Sequence, residues 1–196
     1  MRISSTGSLC RESSAPADSA PRCGSPTAGK GQAREPAGEE KRMLERLRNA
    51  AVIGTGMMGP GIAVTLAAGG VATALLSRGA RGAAEGVERA RASLRLLGEH
   101  GLLGGAPAER ACALLSGSDA FEEVVRKADI VIESAPEDMA FKQDLFSRLD
   151  ALAQPATVLA SNTSGLSITQ IAARCAHPER VLTTHFWNPA HLMPLV

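Results

Sequence analysis

Three glycines, Gly54, Gly56 and Gly59, form a GxGxxG loop that directly follows an apolar run and precedes an alanine-rich segment with helical character. Such a loop brings backbone N–H groups close to a pyrophosphate, whose negative charge the helix dipole favours. The first glycine permits a tight turn, the second the close approach of the phosphates, and the third close packing of helix on strand. This context predicts a dinucleotide site rather than a glycine-rich turn without a ligand. Met57 and Met58 count as candidate cofactor contacts, although packing of the loop is the simpler role for both.

A serine and a histidine each follow a later apolar run. Ser164 comes shortly after residues 157–160, and His185 comes directly after residues 181–184. Ligands of parallel sheets bind at the carboxyl ends of the strands, so both side chains should lie near a nicotinamide ring. An unperturbed imidazole titrates near neutral pH and can take the proton of a substrate hydroxyl as hydride leaves the neighbouring carbon. The pair indicates oxidoreductase chemistry, with a purely structural histidine as the alternative.

The second apolar run, residues 71–76, is followed by a hydroxyl and a guanidinium, those of Ser77 and Arg78. An acid that binds the adenosine ribose is expected here, ~20 residues after the glycines. Without that acid no anion repels a 2′-phosphate, and Arg78 can pair with one. NADP is therefore a possible cofactor beside NAD, and the alternative is that Arg78 stacks on the adenine or faces solvent.

The elements that must position these residues alternate between strands and helices. The predicted strands are the apolar runs 50–53, 71–76, 130–133, 157–160 and 181–184. Apolar residues at helical spacing predict helices within 77–98, 141–152 and 168–175. Ser167 and Gln170 should form a capping box at the start of the last helix. Because the strands are apolar on both faces, we predict an α/β fold of the Rossmann type, doubly wound, with a mostly parallel sheet and helices on both faces.

Residues 1–42 differ in composition from the rest of the chain. Ser, Pro, Ala, Gly and Arg dominate, and Ile3 and Leu9 are the only branched aliphatic residues. Such a segment cannot bury enough apolar surface to offset the entropy of ordering, so we predict a disordered leader. A transit peptide is another interpretation, which the prolines and the lack of an amphipathic pattern disfavour. We favour a non-native leader that precedes a natural start at Met43. The dinucleotide-binding domain should span residues 43–196.

The composition excludes several classes of function. A formal net charge of +1 and an aromatic content of 3% argue against a nucleic-acid or anionic-membrane partner. No apolar run approaches the ~20 residues of a membrane-spanning helix. The 4 cysteines follow no metal-binding or disulfide spacing, so we expect no metal site and favour a reducing, cytoplasmic compartment.

Later motifs occur in a characteristic order. They are Asp129-Ile-Val-Ile-Glu-Ser-Ala-Pro-Glu, Lys142, Ser161-Asn-Thr-Ser-Gly-Leu and His185-Phe-Trp-Asn-Pro. Together with the glycine loop, they resemble the N-terminal domain of the 3-hydroxyacyl-CoA dehydrogenase family over residues 48–196. The SNTS and HFxNP motifs are specific, whereas many dehydrogenases share the loop. The resemblance implies NAD(P)-dependent oxidation of the 3-hydroxyl of an L-3-hydroxyacyl-CoA to a 3-ketoacyl-CoA, a step of fatty acid metabolism.

The resemblance also implies a role for each matching position. His185 resembles the family's general base, and Ser164 resembles the serine that hydrogen-bonds the substrate oxygen close to the nicotinamide. Asn188 resembles a contact of the cofactor and the active site. Glu137 and Lys142 resemble cofactor contacts that follow the predicted strand 130–133.

Other features of the family bear on the substrate and on completeness. Ser93 falls where the family has a serine touching coenzyme A, but His100 stands where typical members have a lysine. The family pairs its catalytic histidine with a glutamate twelve residues later, a position beyond Val196, and dimerises through a helical C-terminal domain that should be absent here. We therefore expect this chain to bind the dinucleotide but to be catalytically incomplete. The alternatives are a non-CoA hydroxyacid or polyol dehydrogenase of the same superfamily, and a non-catalytic dinucleotide-binding or structural protein.

Overall fold

A computed structural model describes residues 47–104 and 107–196, so the predicted leader lies outside the described residues. The strands are β1 (Asn49–Ile53), β2 (Ala72–Leu76), β3 (Leu115–Ser118), β4 (Ile130–Glu133), β5 (Val158–Ser161) and β6 (Val181–Thr183). The α-helices are α1 (Gly59–Ala68), α2 (Ala80–Glu99), α3 (Ala108–Ala113), α4 (Phe121–Lys127), α5 (Met139–Leu152) and α6 (Ile168–Ile171). Short 3₁₀ helices occupy Ala172–Arg174 and Pro178–Arg180.

The strands form one parallel sheet in the order β3-β2-β1-β4-β5-β6. From β1 the chain moves outward through β2 to β3, and it then returns to β4 and moves outward in the other direction to β6. The neighbouring strands β1 and β4 therefore form the switch point of a doubly wound sheet, where a ligand crevice opens beyond the carboxyl ends. The predicted Rossmann-type fold is confirmed.

Side chains of the central strands alternate between two apolar layers. Val52 of β1 and Ile132 of β4 pack toward α1, α2 and α3, whereas Ala51 and Val131 pack toward α4, α5 and α6. Each strand thus buries both faces, because successive side chains point to opposite sides of a sheet. This two-sided burial explains why the strands read as continuous apolar runs in the sequence.

The predicted strands match observed strands to within one residue at each end. β3 escaped prediction because it is an edge strand in which Leu115 is buried while Ser116 and Gly117 are exposed. The predicted capping box is wrong, because the Ser167 side chain forms no capping hydrogen bond. Helix α6 is only 4 residues long and continues as a tighter 3₁₀ turn, which preserves the buried side of the predicted helix.

Within the described ranges, no helix combines the length and the apolar character that crossing a bilayer requires.

Candidate active site

Two of the loop glycines are required by the fold itself. Gly54 has a φ of +105°, and a Cβ at this residue would lie 2.4 Å from the carbonyl oxygen of Ser134 at the end of β4. A Cβ at Gly59, the first residue of α1, would lie 1.9 Å from the carbonyl oxygen of Gly54. Real Cβ atoms do not approach this closely, so the turn and the packing of α1 on β1 depend on glycine.

The remaining loop glycine, Gly56, lies in a different environment. Gly56 is exposed, and a Cβ placed on it would meet no atom within 4 Å. Beyond it, α1 begins without a capping side chain and without an acidic residue in its first turn. The backbone at Gly56 and the N-terminus of α1 are therefore accessible to a ligand, and this arrangement suits the pyrophosphate of a dinucleotide. Met57 is 80% exposed beside this space, whereas Met58 packs against the core.

The loops after β5 and β6 bring a hydroxyl and an imidazole together. Ser164 Oγ lies 3.2 Å from His185 Nε2 at the carboxyl edge of the sheet. The side-chain oxygen of Asn162 accepts a hydrogen bond of 2.8 Å from the Phe186 N–H, which joins the two loops through the backbone. The ring of Trp187 lies 5.5 Å from the His185 ring, centroid to centroid. The convergence expected from the apolar runs is therefore present.

Glu137 holds the backbone of the loop after β5, the serine loop, which carries Thr163 and Ser164. Its carboxylate accepts hydrogen bonds from the Ser164 N–H at 2.7 Å and from the Thr163 hydroxyl at 2.9 and 3.0 Å. Partial burial raises the pKa of the Glu137 carboxyl, but these hydrogen bonds and the charge of Lys142 outweigh burial and leave that pKa below its ordinary value. Glu137 therefore stays ionised and keeps the loop in place.

A buried polar network lies beneath this loop. The Lys142 ammonium is 2.6 Å from the Glu133 carboxylate, and both side chains are at most 1% exposed. The Ser161 hydroxyl donates to the same carboxylate, and the Ala135 N–H donates to it at 2.6 Å. Lys142 also lies 3.6 Å from Glu137, so its charge faces the carboxylates at the strand ends rather than solvent.

Glu133 and Ser161 were not predicted as functional residues, although each ends an apolar strand. The signal that could have found them is a polar residue completing a strand that is otherwise apolar on both faces. Such a residue is buried and must find hydrogen-bonding partners there.

The remaining candidates lie at different distances from the serine–histidine pair. Asn188 Nδ2 is 3.7 Å from the sulfur of Met57, which brings the loop after β6 to the glycine loop. Ser93 lies within α2, where its hydroxyl donates to the carbonyl of Arg89 at 3.2 Å. Among the described residues, Ser93 forms no hydrogen bond with the pair, so its link to coenzyme A stays a prediction.

The end of β2 places Ser77 and Arg78 next to the glycine loop. The Gly54 N–H donates to the carbonyl of Leu76 at 3.0 Å, which fixes the loop against the last residue of β2. The Ser77 N–H donates to the carbonyl of Ser118 at 3.2 Å, and the Arg78 residue is exposed. Over the described part of the chain, no group of three or more histidine, cysteine or carboxylate side chains could hold a metal ion.

Comparison with known proteins identifies the family. A family model described as 3-hydroxyacyl-CoA dehydrogenase, NAD binding domain, matches residues 49–196. A probable 3-hydroxybutyryl-CoA dehydrogenase of Bacillus subtilis is 40% identical over 145 residues, which cover 74% of this chain and 50% of that protein. The 5-formyl-3-hydroxy-2-methylpyridine 4-carboxylate 5-dehydrogenase of Mesorhizobium japonicum is 37% identical over 152 residues, covering 76% of this chain and 48% of that protein.

Solved structures agree with this assignment. The crystal structure of 3-hydroxybutyryl-CoA dehydrogenase from Escherichia coli K12 superimposes with a TM-score of 0.70 and 37% identity, covering 75% of this chain and 31% of that chain. The present chain spans about half the length of the two curated relatives described above. The chain belongs to the 3-hydroxyacyl-CoA dehydrogenase family, of which it carries the NAD-binding domain.

Proposed function

We propose that this chain supplies the dinucleotide-binding and proton-transfer residues of an enzyme that oxidises the 3-hydroxyl of an L-3-hydroxyacyl-CoA to a 3-ketoacyl-CoA. The observation that carries the proposal is the 3.2 Å distance between Ser164 Oγ and His185 Nε2 at the carboxyl edge of the sheet. This pair follows β5 and β6, and β5 stands two places from β1 in the sheet. Neighbouring strands lie about 4.8 Å apart, so a dinucleotide seated on the glycine loop reaches this edge.

The glycine loop would hold the pyrophosphate, with Gly56 leaving the space and α1 presenting its N-terminus. When bound, the nicotinamide ring supplies the acceptor for the hydride that leaves the substrate carbon. Asn188 and Met57 already contact one another across the gap between the glycine loop and the loop after β6, and they would flank the ring. Ser77 and Arg78 would face the adenosine ribose and so decide between NAD and NADP.

His185 would take the proton of the substrate hydroxyl at Nε2. Donation from the Ser164 hydroxyl to Nε2 requires the neutral tautomer in which Nδ1 carries the ring proton. A substrate hydroxyl between the two side chains would accept from Ser164 and donate to His185. Glu137 contributes by fixing the Ser164 backbone through its N–H, so that the hydroxyl keeps its direction.

We expect the 196-residue chain by itself to bind the dinucleotide and to turn over slowly. Among residues 47–104 and 107–196, no carboxylate forms a hydrogen bond or ion pair with the His185 ring. Loss of such an orienting carboxylate costs about 10⁴-fold in kcat in serine protease triads, where tautomer control is lost. Turnover at a rate typical of dehydrogenases, with kcat of about 10 per second or more, would contradict this expectation.

A second candidate substrate class is a hydroxylated acid without coenzyme A. The Mesorhizobium japonicum relative is named for a pyridine carboxylate, and it matches this chain over 76% of its length. His100, exposed at the end of α2, stands where typical members of the family have a lysine near coenzyme A. Both observations favour a substrate that carries the hydroxyl group but no coenzyme A.

The proposal is tested under single-turnover conditions with the purified chain in excess. We expect NAD(P)H to form with L-3-hydroxybutyryl-CoA and not with its D-enantiomer or with free 3-hydroxybutyrate. Formation of NAD(P)H with free 3-hydroxybutyrate and not with the CoA ester would favour the second candidate. Failure to bind either NAD or NADP in a calorimetric titration would leave only a structural role.

We propose a cytoplasmic location for this enzyme, because its four cysteines follow no disulfide spacing and the two within the described residues, Cys112 and Cys175, are unpaired. A reducing compartment maintains cysteines in that form.

A further inference from the structure

The ribose end of the dinucleotide site departs from that of an NAD-specific fold. Leu76 ends β2 opposite Ile53, the last residue of β1, so the residues that follow β2 lie beside the glycine loop. An acid at this point binds the ribose 2′-hydroxyl in NAD-binding folds. Here the segment 77–84 contains no carboxylate, and the first acid, Glu85, forms an exposed ion pair with Arg81 at 2.8 Å.

The two side chains that replace the acid are not engaged by the rest of the fold. The Ser77 hydroxyl and the Arg78 guanidinium form no hydrogen bond or ion pair with other described residues, although the Ser77 backbone is fixed by Ser118. Arg78 is exposed, so its guanidinium can turn toward a ligand. A hydroxyl and a planar fork of N–H donors together suit a phosphate, which carries more than one negative charge.

Helix α2 is held close enough to make this a defined site. A Cβ at Gly82 would lie 2.5 Å from Ser77 Oγ, and a Cβ at Gly86 would lie 2.7 Å from Cγ2 of Thr55 in the glycine loop. One turn later, the Arg89 guanidinium donates to the carbonyl of Thr55. Glycines at these two positions therefore let α2 rest on the loop and on Ser77, and Arg89 adds a cation to the same region.

We infer that this site prefers NADP(H) to NAD(H), with the Ser77 hydroxyl and the Arg78 guanidinium binding the 2′-phosphate of the adenosine ribose. The inference rests on the proposed function, since it needs a dinucleotide on the glycine loop. Charge decides the preference: the 2′-phosphate meets Arg78 and no carboxylate in the segment 77–84, whereas the 2′-hydroxyl of NAD finds no carboxylate there to accept its hydrogen bond.

The test uses the 196-residue chain and its single tryptophan. Trp187 is half exposed beside His185, so a reduced nicotinamide bound there quenches its emission by energy transfer. Titrations with NADPH and NADH, and competition by 2′,5′-ADP and 5′-AMP, then report on the 2′-phosphate alone. We expect Kd for NADPH to be about tenfold lower than for NADH, the effect of one charge-assisted contact.

The variant Arg78→Ala should raise Kd for NADPH about tenfold and Kd for NADH less than about twofold. The matched control is Arg95→Ala, which removes an exposed arginine about 20 Å along the axis of α2 from the end nearest Arg78 and should change neither Kd. Tighter binding of NADH, or equal effects of Arg78→Ala on both dinucleotides, would overturn the inference while leaving the proposed function intact. Binding of neither dinucleotide would instead overturn the proposed function.

Discussion

At the scale of single residues, the active-site pair is positioned through the backbone. The Phe186 N–H, next to His185, donates to the Asn162 side chain at 2.8 Å, and the Ser164 N–H donates to Glu137 at 2.7 Å. Both side chains therefore start from fixed backbone positions on neighbouring strand ends. This arrangement leaves the hydroxyl and the imidazole free to rearrange around a substrate oxygen without losing their supports.

Replacement of His185 by alanine should slow the chemical step and spare cofactor binding. Loss of a general base costs about 10²–10⁴-fold in rate, whereas the glycine loop, which holds the dinucleotide, is unchanged. The single-turnover rate of NAD(P)H formation and the Kd from Trp187 quenching measure the two effects separately. The control is His177→Ala, because His177 is 62% exposed and lies near Glu179 rather than in the site. An unchanged rate in His185→Ala would refute the assignment.

Two glycines of one loop should respond differently to alanine. Gly56→Ala places a methyl group in open space, so the free energy of unfolding should change by less than about 1 kcal/mol while dinucleotide affinity falls about tenfold or more. Gly59→Ala drives a Cβ into the carbonyl of Gly54 and should destabilise the fold itself. Urea unfolding and Trp187 quenching distinguish the outcomes. If Gly56→Ala bound NAD(P)H normally, the pyrophosphate would not lie over that residue.

At the scale of elements, the buried network joins two strands and a helix. Glu133 ends β4, Ser161 ends β5 and Lys142 lies on α5, and a single carboxylate receives hydrogen bonds from the other two. The ammonium was expected as a cofactor contact, and in the structure it is buried against Glu133 and lies 3.6 Å from Glu137. Its contribution to a bound cofactor would then pass through Glu137 and the serine loop.

Replacement of Lys142 by methionine should destabilise the fold strongly, because it leaves the Glu133 carboxylate buried without its cation. Breaking a buried pair in this way costs about 3–5 kcal/mol in the free energy of unfolding. The double variant Glu133→Gln with Lys142→Met should recover part of this loss. As a control, Lys127→Met removes an exposed partner of Glu123 and should cost less than about 1 kcal/mol. Equal losses from Lys142→Met and Lys127→Met in urea unfolding would contradict the structure.

At the scale of the whole molecule, Asp150 connects α5 to the segment that leads into the last strand. Its carboxylate accepts from the N–H groups of Ala176 and His177 at 2.6 and 3.1 Å, and it forms an ion pair with Arg180 at 2.7 Å. Burial raises the pKa of the Asp150 carboxyl, but the hydrogen bonds from Arg180 and the two N–H groups outweigh burial and lower it overall. The position of β6, and of His185 after it, depends on this connection.

The lowered pKa predicts how stability depends on pH. The unfolded carboxyl takes up its proton near the ordinary pKa of 3.8, whereas the folded one holds its charge to lower pH. The stabilisation by Asp150 is therefore fully present above that value and is lost as pH falls below it. Wild type should exceed Asp150→Asn in urea midpoint at about pH 6, and the difference should shrink toward about pH 3.

The control for this prediction is Asp144→Asn, since the Asp144 side chain is 70% exposed in its pair with Arg174. Its midpoint should follow that of wild type across the same range, because exposed pairs contribute little. A constant gap between wild type and Asp150→Asn down to low pH would show that Asp150 does not titrate with folding.

Several features of this protein were determined by the sequence alone. Continuous apolar runs such as 130–133 located the strands and implied a two-sided parallel sheet, and Gly54, Gly56 and Gly59 located the turn beside β1. The order of the motifs indicated the family, which the match over residues 49–196 confirmed. These features can be predicted from the sequence because each depends on residues close together in the chain. Burial of both faces requires consecutive apolar residues, and the tight turn requires glycines at fixed spacing.

Only the tertiary structure decided which polar groups meet. Glu133 and Ser161 are 28 positions apart, and no local pattern predicts that they share a buried hydrogen bond with Lys142 completing the network. β3 was likewise not predicted from the sequence, because an edge strand that is covered on one side needs only Leu115 to be apolar. The physical reason is the same in both cases: partners and edges are set by the packing of distant segments, whereas spacing along the chain records only each segment's own burial.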